Sequence, residues 1–394
     1  MIRTAEILIF LIASITLLSA VWIIVPAPAE SIWLFAVAVS EWSLWIAIIA
    51  LTSIVPSLFS LVFKNGGKID AVSLVVAVAA VGITLYPFAS TLGVARENAV
   101  PLSLIRYFAG VKTLGASAKA ATPITHTFAQ IDGKNLELDV YLPTQTNANN
   151  GASVVVVHGG AWVRGVRSDF PQWNQRLAEA GFTVFDIDYR LVQPNYLTAT
   201  GDVKCAMGWV EQHAAEFSIS PSRIAFLGRS AGAQLALLAA YSDDGRIPSS
   251  CAERGNRTNV RAVVSIYSPV DLLWDYDNPA NQSVIDGPQT LADFLGGSPH
   301  SSDEIRERYV LASPSTQIDP TTPPTLVIHG GQDQLVRPEN LDFLAQKLSE
   351  SNVPHQTLKF PYAQHGFDYN INGWGSQVTE TVMLDFLAKY TAVE

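Results

Sequence analysis

Gly228-Arg229-Ser230-Ala231-Gly232 sets a serine between two glycines. Arg223–Leu227 before it has the character of a strand, and Ala231–Tyr241 after it is an Ala/Leu-rich helix. A serine on such a strand-to-helix turn projects its hydroxyl at the carboxyl edge of a sheet. It also meets the positive end of the helix, where developing negative charge is favoured. A serine hydroxyl is a weak nucleophile without a base to take its proton. Of the seven histidines, His365 is the best placed, because it directly follows the last core strand. Loops beyond the carboxyl ends of parallel strands are where open α/β sheets keep their sites. His329 sits at a strand end, and His355 precedes a strand and so belongs to the opposite edge. A base needs an acid to fix its tautomer. Asp333, in the loop after Thr325–His329, is the first candidate, and Asp271 is the second. The order Ser230, Asp333, His365 suits this arrangement. His158-Gly159-Gly160-Ala161-Trp162 follows a β-branched run and can bring backbone N–H groups to an oxyanion, with the Ala231 N–H as a further donor. These parts together suit two-step acyl transfer through a covalent serine intermediate, a chemistry that needs no metal or organic cofactor.

The elements that must hold these residues are legible from Ala121 onward. Ile124–Gln130 and Leu136–Leu142 alternate as strands around Asp132-Gly133 and form a hairpin. Thr144–Asn150 reads as a loop. Ser153–Val157 is a continuous β-branched run, the mark of a strand buried on both faces. Strand-like runs then alternate with helical ones. The strands are expected at Phe182–Asp188, Arg223–Leu227, Val260–Ile266, Thr325–His329 and Gln356–Phe360. The helices are expected near Phe170–Ala180, Thr198–Phe217, Ala231–Tyr241, Pro338–Ser351 and Gln377–Tyr390. This alternation predicts an α/β fold with a doubly wound, mostly parallel sheet. Asp271–Pro320, aromatic and rich in proline, reads as an insertion over one end of the sheet.

The first 92 residues are of another kind. Ile7–Val25, Trp42–Phe63 and Ala71–Leu92 are apolar runs without charge, each long enough to cross a bilayer core of about 30 Å as a helix. Pro26-Ala27-Pro28 separates the first run from a further apolar stretch, Ser31–Ser40, which either extends the second span or lies at the interface. Trp22, Trp33, Trp42 and Trp45 stand near the span ends, where amphipathic rings favour the headgroup zone. A cleaved signal peptide is the other reading of the first run, although its apolar segment is long for one. Lys and Arg counts near the spans, Arg3, Lys64 and Lys68 against Arg96 and Arg106, place the amino terminus in the cytoplasm and the remainder outside. The expected organisation is a transmembrane region over 1–92, a linker over 93–122 and a catalytic domain over 123–394.

The 394 residues are 48% hydrophobic and 15% charged, with a net charge of −10. An acidic chain lacks the basic footprint of a nucleic-acid binder. Residues 1–92 hold three basic and four acidic residues, leaving 22 and 31 for the rest, so the average joins a membrane region to an acidic soluble one. Two cysteines are too few for a disulfide scaffold or a self-contained zinc site. Whether Cys205 and Cys251 pair is open from sequence.

The motifs His158-Gly159-Gly160-Ala161-Trp162, Asp188-Tyr189-Arg190-Leu191, Gly228-Arg229-Ser230-Ala231-Gly232, His329-Gly330-Gly331-Gln332-Asp333 and His365-Gly366-Phe367 together resemble the α/β-hydrolase superfamily. They look most like its carboxylesterase branch related to hormone-sensitive lipase, over roughly Thr125–Tyr390. The Gly-Gly-Ala-Trp and Ser-Ala-Gly-Ala stretches are also similar to isoprenylcysteine methylesterases. The resemblance implies Ser230 as nucleophile, His365 as base and Asp333 as its partner. It implies the N–H groups of Gly160, Ala161 and Ala231 as the oxyanion hole. Ala161 and Ala233 stand where the family often has glycine.

Among the aromatics, Trp162, Trp274, Tyr276 and Phe294 are candidates to line a substrate pocket, with Trp162 and Trp274 foremost. A membrane anchor suits lipid-derived or cell-envelope esters. An amidase or peptidase of the same fold, and a non-catalytic membrane receptor on a hydrolase scaffold, are the other readings. Protein partners and oligomeric state are not legible.

Overall fold

The computed structural model describes residues 2–64, 66–110, 122–143, 150–242, 245–251 and 259–392. The loop expected at Thr144–Asn150 and the stretch 111–121 of the expected linker fall, Asn150 apart, outside them.

Eight strands form one mixed sheet. They are β1 (Ile124–Ile131), β2 (Lys134–Tyr141), β3 (Ser153–Val157), β4 (Thr183–Ile187), β5 (Ile224–Arg229), β6 (Val260–Ile266), β7 (Thr325–Gly330) and β8 (His355–Phe360). Their order is β1-β2-β4-β3-β5-β6-β7-β8. The hairpin strands run antiparallel, and β4, β3, β5, β6, β7 and β8 run parallel. β3, β4 and β5 are buried along their whole length because helices cover both faces, which is why their sequences do not alternate. On one face, α6 (Pro171–Glu179) and α13 (Trp374–Tyr390) bury Trp173, Leu177, Val378 and Met383. On the other lie α7 (Tyr196–Gln212), α8 (Ala231–Tyr241) and α12 (Glu339–Glu350). The chain leaves β3 toward α6 on one face and leaves β5 toward α8 on the other. A crevice therefore opens beyond the carboxyl ends of β3 and β5. The expected insertion carries three short helices, α9 (Leu272–Asp277), α10 (Gly287–Leu295) and α11 (Asp303–Ala312).

Cys205 of α7 and Cys251, beyond α8, form a disulfide with a Cα separation of 5.2 Å, closing the question the sequence left open.

The amino-terminal region is helical. Helix α1 (Ile2–Ala20) ends in a short 3-10 turn at Val21–Ile23, before Pro26 rather than at Val25. Helices α3 (Ser43–Phe63) and α4 (Lys68–Glu97) follow, and with Thr4–Ile23 they are three helices long and apolar enough to cross a membrane. Ser31–Ser40 does not extend the second span. It belongs to a separate helix, α2 (Glu30–Glu41), which at 12 residues is too short to cross. Helix α4 runs five residues beyond Leu92, the expected boundary, because its last turn has a core to enter. Val94 and Ala95 are buried in the same apolar layer as α13. A short helix, α5 (Leu104–Ala109), adds to the join: Tyr107 stacks on Trp374 with ring centroids 4.2 Å apart, and its hydroxyl accepts from the Leu44 amide.

One buried carboxyl in the sheet gives the stability a pH dependence. Asp186 on β4 accepts from the Ser168 amide (2.7 Å) and from Asn174 Nδ2 (2.6 Å). Burial outweighs these bonds and pushes its pKa up to about 7. A raised carboxyl pKa favours folding fully below the unfolded value near 4, and that contribution is lost as pH rises through about 7. Asp186→Asn removes the titration. The Asn174 side chain can flip to serve it, since its Oδ1 has no partner. The expected result is a thermal midpoint in detergent that falls less between pH 5 and pH 8 in the variant than in the wild type. Parallel falls would reject Asp186 as the source.

Candidate active site

Ser230 stands between β5 and α8 with φ 54° and ψ −125°, a conformation that few residues other than glycine adopt. It is held there by its own amide, which donates to the Ile266 carbonyl at 2.9 Å. The flanking glycines allow the turn. A Cβ on Gly232 would stand 2.1 Å from the His158 carbonyl oxygen, and one on Gly228 would stand 2.5 Å from the Ala233 Cα. The motif thus has a steric reason on both sides of the serine.

His365 lies in the loop after β8, with Nε2 2.9 Å from Ser230 Oγ. Its Nδ1 lies 2.7 Å from Asp333 Oδ2. An ionised carboxylate only accepts, so Nδ1 carries the proton and Nε2 is left to accept from the serine hydroxyl. Asp333 is fixed in turn. Its Oδ1 accepts from the amides of Leu335 and Val336, at 2.8 and 3.0 Å. Burial works to raise the Asp333 pKa, but His365 and His329 beside it hold the carboxyl well below the usual range. His329, the rival histidine, thus occupies a different place: its Nε2 is 3.2 Å from Asp333 Oδ2 and does not reach the serine. Asp271 caps α9 by accepting from the Trp274 amide and takes no part in the site.

Gly160, Ala161 and Ala231 line the same cavity as Ser230 and His365. Ala161 and Trp162 both have positive φ, so the chain coils tightly around the end of β3. Among the described residues, the N–H groups of Gly160, Ala161 and Ala231 meet no acceptor. For Ala231 this follows from its place as the first residue of α8.

The cavity measures about 630 Å3. Trp162 is on its wall, fixed by its indole N–H to Gln234 Oε1 (2.9 Å) and stacked on Phe294. Trp274 is not on the wall among the described residues: it packs edge-on against Phe343 of α12, so the substrate-binding expectation for it is corrected to a packing role. Tyr276 likewise packs on Tyr309.

Two parts of the site were missed in the sequence. One is a buried ion pair beneath the serine turn, Arg229 Nε to Asp368 Oδ2 at 2.6 Å. The Tyr267 hydroxyl donates to the other Asp368 oxygen at 2.7 Å. The spacing of Asp368 three residues after His365 was the available signal. The other is α2, whose Trp33, Leu34, Val37 and Ala38 line the cavity. Its signal was an apolar stretch fenced off by Pro26-Ala27-Pro28.

The sheet order, the serine turn and the Ser230–His365–Asp333 chain are those of an α/β-hydrolase. Solved structures agree on the fold. An esterase from Thermogutta terrifontis, Est2, superposes with a TM-score of 0.55 at 23% identity, covering 69% of this chain and 93% of that one. A truncated carbohydrate esterase from gut microbiota gives 0.57 at 22% identity, covering 70% and 99%. The BD-FAE family model matches residues 138–348, more than half of the chain, and the chain belongs to that family. Among curated relatives, the esterase LipC of Mycobacterium tuberculosis is 30% identical over 240 residues, 59% of this chain and 57% of the relative. The probable carboxylic ester hydrolase LipM of the same organism is 30% identical over 246 residues, 60% and 54%. The chain thus spans somewhat over half the length of these relatives. Lipase 2 of a Moraxella species is 26% identical over 303 residues, 67% of each.

Proposed function

We propose that this chain is a membrane-anchored serine hydrolase acting on carboxylic esters, lipid-like or derived from the cell envelope. The observation that carries the reading is the Ser230–His365–Asp333 chain of contacts, 2.9 and 2.7 Å, at a cavity that also presents three unpaired amides. Ser230 attacks the ester carbonyl as His365 Nε2 takes its proton. The oxyanion forms against the Gly160, Ala161 and Ala231 amides, which have no other acceptor among the described residues. Asp333 keeps Nδ1 protonated and stabilises the imidazolium. His365 then protonates the leaving alcohol, and water attacks the acyl-enzyme by the same route. The esterase and lipase names of the relatives support this class of activity.

The hydrolase part faces the outside. Arg3, Lys64 and Lys68 favour a cytoplasmic amino terminus and α3–α4 connection. The Cys205–Cys251 disulfide supports the same side, since such bonds persist in oxidising compartments. One experiment tests both statements: a membrane-impermeant fluorophosphonate applied to intact and permeabilised cells expressing the full chain. The expected result is equal labelling of both, lost in Ser230→Ala. Labelling only after permeabilisation would overturn the sidedness. No labelling in either would overturn the serine mechanism.

A further inference from the structure

Helix α2 lies between two membrane spans, yet it forms a wall of the cavity that holds Ser230. Trp33, Leu34, Val37, Ala38 and, just beyond the helix, Trp42 face the same space as Gly160 and His365. The helix is tied down at both ends by residues that neighbour the acid and the base. Before it, the Ala27 amide donates to Gln334 Oε1 at 2.6 Å, and Asn281 Nδ2 donates to the Ala27 carbonyl at 2.6 Å. Gln334 follows Asp333 and donates through Nε2 to Gln364, which precedes His365. At the far end, Glu41 accepts from the Tyr362 hydroxyl through its side chain (3.1 Å) and from Asn370 through its carbonyl (3.2 Å). The membrane region therefore does more than hold the hydrolase near a bilayer.

The rim of the cavity is apolar and open. Leu34 lines it while remaining 57% exposed, and Tyr369 lines it at 66%. Val163 and Val166, in the loop that carries Trp162, are also exposed. Exposed apolar side chains grouped at a rim mark a surface that meets something apolar. Helix α2, which supplies part of this rim, packs against both α1 and α3, which bracket it in the chain. Trp33 adds a polar handle, for its indole N–H is buried without a protein partner although the ring lines the cavity.

We infer that α2 is the acyl-chain wall of the active site, so that the enzyme takes bilayer-resident long-chain esters whose chain lies along Val37 and Ala38. This rests on the esterase reading above and deepens it. The glycine loop and the triad handle the ester group, and a segment of the membrane region sets how long a chain fits. An apolar wall discriminates by chain length because each further methylene buried there adds to binding.

The test uses the full chain in detergent or nanodiscs and reads the ratio of kcat/KM for a dodecanoyl ester to that for a butyryl ester of p-nitrophenol. Val37→Trp and Ala38→Trp fill the cavity from the α2 side and are expected to lower this ratio at least tenfold. Phe35→Trp, on an exposed side chain absent from the cavity wall, is the control and leaves the ratio as in wild type. Fluorophosphonate labelling of Ser230 establishes that each variant is folded. Labelled variants whose ratio matches wild type would overturn the inference while leaving the esterase reading intact, as would an equal change in Phe35→Trp. A wild-type chain that turns over neither ester would instead overturn the esterase reading.

Discussion

Ser230→Ala lowers ester turnover by about 10^4-fold or more, because the residual rate of a serine hydrolase without its nucleophile comes only from binding and the oxyanion donors. The argument rests on position. Ser230 Oγ is the hydroxyl within hydrogen-bond reach of His365 Nε2, and the strained turn that presents it has no other fitting nucleophile. Asp333→Asn is expected to act almost as strongly, by about 10^3–10^4-fold, through the tautomer and not through lost contact. An amide at this position can donate its N–H to His365 Nδ1, which leaves the ring proton on Nε2 and the serine hydroxyl without an acceptor. His329 cannot substitute, since its Nε2 faces Asp333 Oδ2 and the Val336 carbonyl, each at 3.2 Å, and not the serine. Steady-state rates on p-nitrophenyl esters and matched anilides check both statements. Wild-type-like ester turnover in Ser230→Ala would remove the assignment. Preference for the anilides would move the substrate class to amides.

Asp368→Ala is expected to destabilise the protein by about 3–5 kcal/mol, the usual result of stranding one partner of a buried ion pair. Arg229 and Asp368 are both buried, and the Arg229 guanidinium carbon lies 4.2 Å from the centre of the Phe170 ring. With the carboxylate gone, a guanidinium remains in an apolar setting, and the Tyr267 hydroxyl loses its acceptor as well. The double variant Arg229→Met, Asp368→Leu should recover most of the loss, because neither charge is left behind. Thermal unfolding in detergent reads both. A single-variant loss below about 1 kcal/mol would place the pair with exposed bridges, which contribute little. Arg229 directly precedes Ser230, and Asp368 follows His365 by three residues. The pair therefore ties the nucleophile turn to the base loop, and its loss should also lower activity at temperatures where the chain is still folded.

The meeting of Ser230, Asp333 and His365 was legible because each lies in a local motif. Ser230 is announced by glycines whose reasons lie within a few residues, and His365 and Asp333 each follow a strand that its own composition reveals. Strand positions were legible for the same reason: β3 and β6 match the expected ranges because their β-branched runs are bounded in the sequence by polar and glycine residues. What was not legible depends on contacts between distant segments. Trp274 has the composition of a pocket residue, yet Phe343, almost seventy residues on, takes its ring. The role of α2 depends on Gln334 and Tyr362, which lie about three hundred residues away, and no periodicity in Ser31–Ser40 can encode them. The extra turns of α4 have the same origin. Nothing within the helix marks Val94 and Ala95 as core; the α13 layer they enter does.

That last turn of α4 has a kinetic meaning. A hydrolase domain on a flexible leash would sample many heights and tilts above the lipid surface. On the proposed membrane reading, one whose last long apolar helix ends inside its own core would hold a single attitude, with the mouth of the cavity at a fixed depth. For the bilayer-resident ester proposed above, encounters would then be set by lateral diffusion within the leaflet and by surface density.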